Sequence, residues 1–400
     1  MRRERAWRLA ERYGTRFVER DDETRVAYLR PAPTAGRTSA PVVFLPGGPG
    51  IGSVFLYRAL RSQAAARGLD VLMMEHRGVG FSRLRADGTE QASADVTVEA
   101  AADDLAAILD TEGVERAVVY GTSYGSYLAQ LFGVRHPGRV AGMVLDSPLL
   151  SAGDRHTVRA HRRELLLHGT ERLPTLVREA VAAADDLGSG HDVETVGQVA
   201  QVVYEFAGPE TLERLLTTRQ RGRGGRTWRW LASLGASERD GEASPFVAEF
   251  DLVAGITHGV LGFGADADGL PLDPQQAFAA TAAHPDAPAF TGDTVDLPAA
   301  LPGFTWPTAV VSGARDLRTP RRIAERAVSL LPDAALLRLP ETGHSAMDTH
   351  RLAALHVAHH VERGDLRGLA QRADRIATLP RRGMLGTLGP LIRTAVRLTT

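Results

Sequence analysis

The segment Gly121-Thr122-Ser123-Tyr124-Gly125 follows the apolar run Ala117-Val118-Val119-Tyr120 and opens a stretch with helical character. A G-x-S-x-G sequence between a strand and a helix is typical of a nucleophilic serine on a sharp turn. Such a turn leaves no space for side chains two residues before and after the serine, and both positions are glycine here. In such a turn the serine adopts a strained backbone conformation and exposes its hydroxyl. The N-terminus of the helix that follows favours developing negative charge. The segment therefore predicts that Ser123 is a nucleophile.

Short apolar runs on both sides of this segment predict the sheet to which it belongs. Near-continuous apolar runs of this length are typical of strands buried on both faces of a parallel sheet. The runs alternate with helical stretches at 98–109 and 124–134, which is the pattern of an open α/β sheet. The predicted parallel strands are 41–45, 69–74, 117–120, 140–145, 307–312 and 335–339, and a hairpin is predicted from 16–19 and 25–29.

The strand pattern stops at about residue 150 and returns only after residue 304. Between these points lie helical segments, an arginine- and glycine-rich stretch and a region rich in proline, alanine and aspartate. Because one sheet needs strands from both sides, we interpret this region as a mainly helical cap inserted into an α/β core. The predicted divisions are a first core part (1–149), the cap (150–304), a second core part (305–364) and a basic C-terminal tail (365–400).

The composition excludes several classes of protein. The formal net charge of the 400 residues is -1, so no global field favours nucleic acid or an anionic membrane. Cysteine is absent, which excludes disulfides and removes the commonest zinc ligands. Lysine is also absent, which excludes a P-loop lysine and a Schiff base to pyridoxal phosphate. His356, His359 and His360 lie at helical spacing, and we interpret them as a solvated helix face. We therefore expect no metal, no cofactor and no nucleic-acid partner.

Hydropathy along the chain predicts no membrane insertion. No apolar run approaches the roughly 20 residues of a membrane helix. The first thirty residues are charged throughout and lack the apolar h-region of a secretory signal. We expect a cytoplasmic enzyme, and the sequence does not indicate its oligomeric state.

Two further loops complete a predicted catalytic triad. Asp316 follows the strand at 307–312, and His344 follows the strand at 335–339. Open α/β sheets place their sites at the carboxyl ends of the strands. The chain order Ser, Asp, His is that of the α/β-hydrolase fold. We predict Ser123 as nucleophile, His344 as general base and Asp316 as the residue that orients the histidine.

The predicted oxyanion hole comes from the loop Leu45-Pro46-Gly47-Gly48-Pro49-Gly50, which follows the first parallel strand. An oxyanion needs two preorganised N–H donors. In this fold one comes from the residue after the nucleophile and one from this loop. We assign these donors to the backbone N–H groups of Tyr124 and Gly48. Backbone must approach the substrate closely here, which favours glycine. The supporting residues are Gly47, Gly121, Gly125, Glu75 and Arg77.

Several motifs together resemble one family of serine peptidases. They are Gly47-Gly48-Pro49-Gly50, Glu75 to Ser82, Gly121 to Ala129, Val144-Leu145-Asp146 and Asp316 with Thr319-Pro320. These motifs resemble the prolyl iminopeptidase and tripeptidyl aminopeptidase family of α/β-hydrolases. The resemblance covers roughly 14–150 and 305–360 but not the cap. It implies the α/β-hydrolase fold, and it carries the triad roles onto Ser123, Asp316 and His344.

The sequence departs from that family at three positions. Prolyl iminopeptidases usually have histidine and tryptophan where this chain has Pro46 and Tyr124, which look more like the tripeptidyl aminopeptidase branch. The family usually has aspartate where Glu75 stands. We interpret Glu75 as bracing the oxyanion loop through Arg77.

The resemblance implies an aminopeptidase that releases N-terminal residues from short peptides. Such an enzyme binds a protonated amine, which calls for cap carboxylates near the serine. The candidates are Glu205, Glu210, Glu249 and Asp251. The alternative is a carboxylesterase or another small-molecule acyl hydrolase in a biosynthetic pathway, because the triad gives the chemistry and not the substrate. A non-catalytic binding protein is a third reading, and the intact triad argues against it.

Overall fold

The computed structural model describes residues 3–33, 40–185, 190–234, 244–381 and 383–399. The predicted sheet is confirmed: eight strands lie in the order β1-β2-β4-β3-β5-β6-β7-β8. The predicted hairpin pairs antiparallel and joins the sheet through an antiparallel contact between β2 and β4. All other neighbours are parallel. The strands are β1 Arg16–Glu19, β2 Arg25–Leu29, β3 Val42–Leu45, β4 Val71–Met74, β5 Ala117–Thr122, β6 Val140–Asp146, β7 Thr308–Gly313 and β8 Ala334–Leu339.

Helices cover both faces of the sheet and fill most of the segment between β6 and β7. The helices are α1 Arg3–Arg12, α2 Arg58–Ala65, α3 Val98–Thr111, α4 Tyr124–Arg135, α5 Asp154–Leu166, α6 Arg172–Asp185, α7 Gly190–Ala207, α8 Pro209–Gln220, α9 Gly225–Ser233, α10 Gln276–Ala282, α11 Leu297–Ala300, α12 Arg321–Leu330, α13 Ala346–Thr349, α14 Arg351–Glu362, α15 Leu366–Gln371, α16 Ala373–Ala377 and α17 Met384–Arg397. The segment from α5 to α11, between β6 and β7, is called the cap below. None of the helices in the described ranges is both long and apolar enough to span a membrane.

The two faces of the central strands bury different side chains. Successive residues of a strand point to opposite faces, so Val43 and Leu45 pack with α3 and α4, whereas Val42 and Phe44 pack with α14. Every residue of β3, β4, β5 and β7 is buried. This two-sided burial explains why the strands are almost continuously apolar.

The C-terminal region, interpreted from the sequence as a basic tail, forms helices α15 to α17 in its described part. Helix α17 packs against α7 and α8 of the cap. Its residues Ile392 and Val396 are fully buried in the same hydrophobic cluster as residues of the cap helices. The C-terminal helix therefore stabilises the cap.

The interpretation of the histidine cluster as a solvated face is wrong for one of its members. His360 is buried, and its Nδ1 lies 3.0 Å from Oδ2 of Asp365. Arg372 donates to Nε2 of the same ring at 3.3 Å. His356 is exposed, as expected. His360 therefore stabilises the turn that ends α14.

The predicted link between Glu75 and Arg77 is also wrong. Arg77 donates from Nε and Nη2 to the two carboxylate oxygens of Asp104 on α3, at 2.7 and 2.6 Å. Glu75 is fully buried at a different contact, where its Oε1 would lie 2.3 Å from a Cβ added to Gly80. The error arises because both residues lie in the loop after β4, where the partner of Arg77 is set by Asp104 on α3 and not by spacing along the chain. Arg77 joins the loop after β4 to α3 instead of acting on Glu75.

We predict that Asp104→Ala lowers the free energy of unfolding by about 3–5 kcal/mol, because it removes the buried carboxylate that pairs with Arg77 and leaves only the half-exposed Asp22 at 3.5 Å. The side chains of Arg77 and Asp104 are 3% and 0% exposed. The neighbouring Asp103 provides a matched control, since its ion pair with Arg135 is 32% and 37% exposed. Asp103→Ala should cost at most about 1 kcal/mol. Equal losses in urea denaturation of the two variants would contradict the prediction.

Candidate active site

Ser123 lies on a strained turn between β5 and α4. Its backbone angles are φ 53° and ψ -124°, a region that non-glycine residues occupy only when the surrounding structure holds them there. Sterics require glycine on both sides of Ser123 in this turn. A Cβ on Gly121 would lie 2.0 Å from the carbonyl oxygen of Gly125, and a Cβ on Gly125 would lie 2.2 Å from that of Leu45. Side chains at these positions are therefore excluded.

Hydrogen bonds from neighbouring segments hold this turn. The N–H of Ser123 donates to the carbonyl oxygen of Asp146 at 2.9 Å, at the end of β6. The N–H and Oγ of Ser126 both donate to the carbonyl oxygen of Ser123, at 2.8 and 2.6 Å. The strained conformation is thus fixed by contacts from both the sheet and the helix.

Asp316 and His344, which the sequence predicts as orienting residue and general base, lie in hydrogen-bond contact. Nδ1 of His344 lies 3.0 Å from Oδ2 and 3.1 Å from Oδ1 of the Asp316 carboxylate. Asp316 is buried and also accepts from the N–H groups of Arg318 and Thr319, at 2.9 and 2.8 Å. The hydroxyl of Thr319 donates to its second oxygen at 2.8 Å. These contacts fix the carboxylate and leave His344 Nε2 directed away from it.

The electrostatics of the pair suit a general base. Burial alone would raise the pKa of Asp316, but the charge and hydrogen bond of His344 and the N–H donors lower it to about 2. Burial alone would lower the pKa of His344, but the Asp316 carboxylate raises it above its ordinary value. The carboxylate therefore stays ionised and stabilises the imidazolium that forms when the ring accepts a proton.

Asp146 and Ser147 hold the loop that carries His344, and sequence reasoning did not assign them to the site. The Asp146 carboxylate accepts from the N–H groups of Ala346 and Met347 at 3.0 and 2.8 Å. Ser147 Oγ accepts from the N–H of Ser345 at 3.0 Å. Burial raises the pKa of Asp146 to about 6, although these N–H donors oppose the rise. A polar pair at the carboxyl end of a buried strand was the available signal.

The predicted oxyanion loop lies against the nucleophile. A Cβ added to Gly47 would lie 3.2 Å from Cβ and 3.8 Å from Oγ of Ser123. Gly48 has φ 124°, in the region that favours glycine. A cavity of about 20 Å³ opens between this loop, Met74, His76, Tyr124 and Leu128, with space for a single water-sized group.

A buried hydrogen bond anchors the residue that follows the nucleophile. The Tyr124 hydroxyl lies 2.7 Å from Nε2 of His76, and Nδ1 of that ring lies 2.7 Å from the carbonyl oxygen of Arg77. Because a carbonyl only accepts, Nδ1 carries the proton and Nε2 accepts from the tyrosine. Burial lowers the pKa of His76 to about 4, so the ring is neutral. The sequence analysis included His76 in the motif Glu75 to Ser82 but gave it no role.

Two of the four predicted amine-binding carboxylates lie next to the catalytic loops. Glu205 on α7 is buried; its Oε1 accepts from the N–H of Leu317 at 3.1 Å, and its Oε2 lies 3.4 Å from Nε of Arg318. Glu249 is also buried, and its N–H donates to the carbonyl oxygen of Gly50 at 2.8 Å. Its Oε2 accepts from the N–H of Gly80 at 2.5 Å.

The other two candidates lie at the surface. Asp251 is 59% exposed and forms a bidentate ion pair with Arg83 at 2.5 and 2.8 Å. Glu210 is exposed in the first turn of α8. Neither residue has a described contact with the loops that carry Ser123, Asp316 or His344.

Comparison with known proteins gives partial sequence matches. A family model for the α/β-hydrolase fold matches residues 40–194. A probable proline iminopeptidase of Leptolyngbya boryana is 31% identical over 105 residues, which are 26% of this chain and 30% of that protein. The proline iminopeptidase of Neisseria meningitidis is 31% identical over 105 residues, which are 26% of this chain and 31% of that protein. The chain thus matches less than a third of the length of these relatives.

A comparison with solved structures extends the similarity to most of the chain. The crystal structure of the proline iminopeptidase of Mycobacterium smegmatis matches 88% of this chain and 99% of that chain, with a TM-score of 0.57 and 17% identity. At this identity the likeness concerns the fold, and a fold alone does not define a substrate.

We predict that Asp316→Asn moves the acid limb of the pH–rate profile to lower pH and reduces turnover of an activated aryl ester by about 10⁴-fold. In the parent protein, activity should be present above the raised pKa of His344 and lost as the pH falls through it, because only the neutral ring accepts a proton. The variant lacks the charge that raises this pKa. Asp333→Asn, at an exposed position, serves as control. An unshifted acid limb in Asp316→Asn would contradict the assignment.

Proposed function

This chain has the α/β-hydrolase fold, and we propose that it is a serine hydrolase that cleaves acyl bonds through an acyl-enzyme on Ser123. The observation that carries the proposal is the pairing of His344 with a buried, ionised Asp316, together with the bonds by which Asp146 ties the loop after His344 to the turn that bears Ser123. A strained serine, a histidine and an orienting carboxylate in this arrangement are the components of acyl transfer.

The proposed reaction has two half-reactions. Ser123 Oγ attacks the carbonyl carbon of the substrate while His344 Nε2 accepts its proton. The N–H groups of Tyr124 and Gly48 stabilise the oxyanion of the tetrahedral intermediate. His344 then gives the proton to the leaving amine or alkoxide as the C–N or C–O bond breaks. Water repeats the sequence on the acyl-enzyme and releases the acid. The nucleophile, the base and the electrophilic donors all come from the chain, so the proposal requires no metal or organic cofactor.

Within this class we propose an aminopeptidase that acts on short peptides with a free amino terminus. The similarity to proline iminopeptidases supports this substrate class. A protonated amine that leaves water needs a counter-charge, and Glu249 is the best-supported candidate. It lies beside the oxyanion loop, with its N–H bonded to Gly50, and its Oε1 lies 4.0 Å from Arg83. Glu205, by contrast, accepts from Leu317 and lies beside Arg318, in the loop of Asp316 and not beside the oxyanion loop.

We predict that N-acetylation of a short peptide substrate reduces kcat/KM by about 10²-fold or more, because the uncharged amide no longer pairs with a carboxylate. Glu249→Gln should cause a similar loss for the free peptide and spare an aryl ester, which makes no such contact. The measurement is kcat/KM for the free peptide, the acetylated peptide and the ester. Glu179→Gln, an exposed substitution on α6, should leave all three values unchanged.

Other outcomes of these three measurements would contradict the aminopeptidase proposal. Equal cleavage of free and acetylated peptides would contradict recognition of the amino terminus. Cleavage of esters alone would replace the aminopeptidase by a carboxylesterase. Cleavage of none of the three substrates by folded protein would contradict the aminopeptidase proposal and the esterase alternative together.

A further inference from the structure

We propose that Arg162 and Glu205, from two helices of the cap, are positioning residues that hold the loop of the triad acid from both sides of Leu317. The inference rests on the proposed function, since it concerns the same triad. It differs from the expectation for Glu205, which was to bind the amine of a substrate.

The backbone N–H, the backbone carbonyl and the side chain of Leu317 all contact the cap. Its N–H donates to Oε1 of Glu205 at 3.1 Å, and its carbonyl oxygen accepts from Nε of Arg162 at 2.7 Å. Its side chain is fully buried in the hydrophobic cluster of the cap, with residues such as Leu166 and Val203. The residue that directly follows Asp316 is therefore built into the cap rather than into the sheet.

The position of this residue determines the hydrogen bonds of Asp316. The next two N–H groups of the chain, those of Arg318 and Thr319, donate to Oδ1 of Asp316 at 2.9 and 2.8 Å. A shift of the Leu317 backbone would move both donors and thus the carboxylate that orients His344. Catalytic groups must be held closely, because a displacement of about 1 Å can cost on the order of 10²-fold in rate.

Glu205 also touches the loop that carries the base. A Cβ added to Gly343, next to His344, would lie 2.8 Å from Cβ and 3.0 Å from the carbonyl oxygen of Glu205. The end of α7 therefore packs against both catalytic loops at once. Neither cap residue is available to a substrate in this arrangement, because Arg162 is bound to Leu317 and Gln201, and Glu205 is bound to Leu317 and lies beside Arg318.

The polar groups of this contact have partners within the protein. The guanidinium of Arg162 also donates to Oε1 of Gln201 at 2.6 Å. The Glu205 carboxylate lies close to the side chain of Arg318. Buried polar and charged groups need such partners. The contact is therefore a specific interaction of the fold and not an incidental surface pair. The charged groups that face His344 are Asp316, Arg318 and Glu205.

A fluorophosphonate tests the inference without knowledge of the substrate, because it phosphonylates a triad serine and needs no amine contact. Glu205→Ala should slow labelling of Ser123 at least tenfold, whereas Glu205→Gln should stay within about threefold of the parent at alkaline pH. The glutamine oxygen still accepts from the N–H of Leu317, and the alanine variant keeps the Cβ that packs against Gly343. In Glu205→Gln the acid limb of labelling should move to lower pH, because a negative charge near His344 is lost. Glu179→Ala should label like the parent.

Each contrary outcome has a distinct meaning. If Glu205→Ala lowers the denaturation midpoint but labels at the parental rate with the parental pH dependence, the residue is only structural and the inference is wrong. If labelling is unchanged in both Glu205 variants but cleavage of free-amine peptides falls, Glu205 binds substrate and the inference is again wrong. Failure of the parent itself to react at Ser123 would instead contradict the proposed function.

Discussion

The buried carboxylate of Asp146 is the interaction on which the geometry of the site depends. A carboxylate inside a protein is costly unless hydrogen bonds satisfy it. Asp146 is fully buried, and it accepts from the Tyr120 hydroxyl and from two N–H groups of the loop after His344. Its own carbonyl oxygen accepts from the N–H of Ser123. One residue at the end of β6 thereby fixes the nucleophile turn and the histidine loop relative to each other.

The third catalytic segment is fixed from a different direction. The acid loop after β7 is held through Leu317, whose side chain is part of the hydrophobic cluster of the cap. The sheet thus positions Ser123 and His344, the proposed nucleophile and base, whereas the cap contributes to the position of Asp316. A change in the packing of α5 or α7 would act on Asp316 as well as on the substrate site. The cap therefore contributes to the geometry of the triad through residues that do not themselves bind the substrate.

The sequence predicted those features that depend on local pattern and chain order. Apolar runs predict the strands and hence the loops of Asp316 and His344 that follow them. Glycines that sterics require predict the turn at Ser123. Contacts between distant segments could not be predicted in this way. Asp146 and Ala346 are 200 residues apart, and Leu317 and Glu205 are 112 residues apart. The direction of Arg77 depends on Asp104 of the next helix, and that of His360 on the turn that ends its own helix; neither follows from residue spacing, and both interpretations were wrong for that reason.

The proposed function depends on Ser123 as the nucleophile of a triad with His344 and Asp316. Its most direct test is the turnover of an activated ester by Ser123→Ala, measured beside the unfolding of the same variant. The account predicts a fall in kcat of roughly 10⁴- to 10⁶-fold. The denaturation midpoint should not fall, because alanine fits the same backbone and loses only a hydroxyl. Turnover near the parental value in a folded variant would contradict the account.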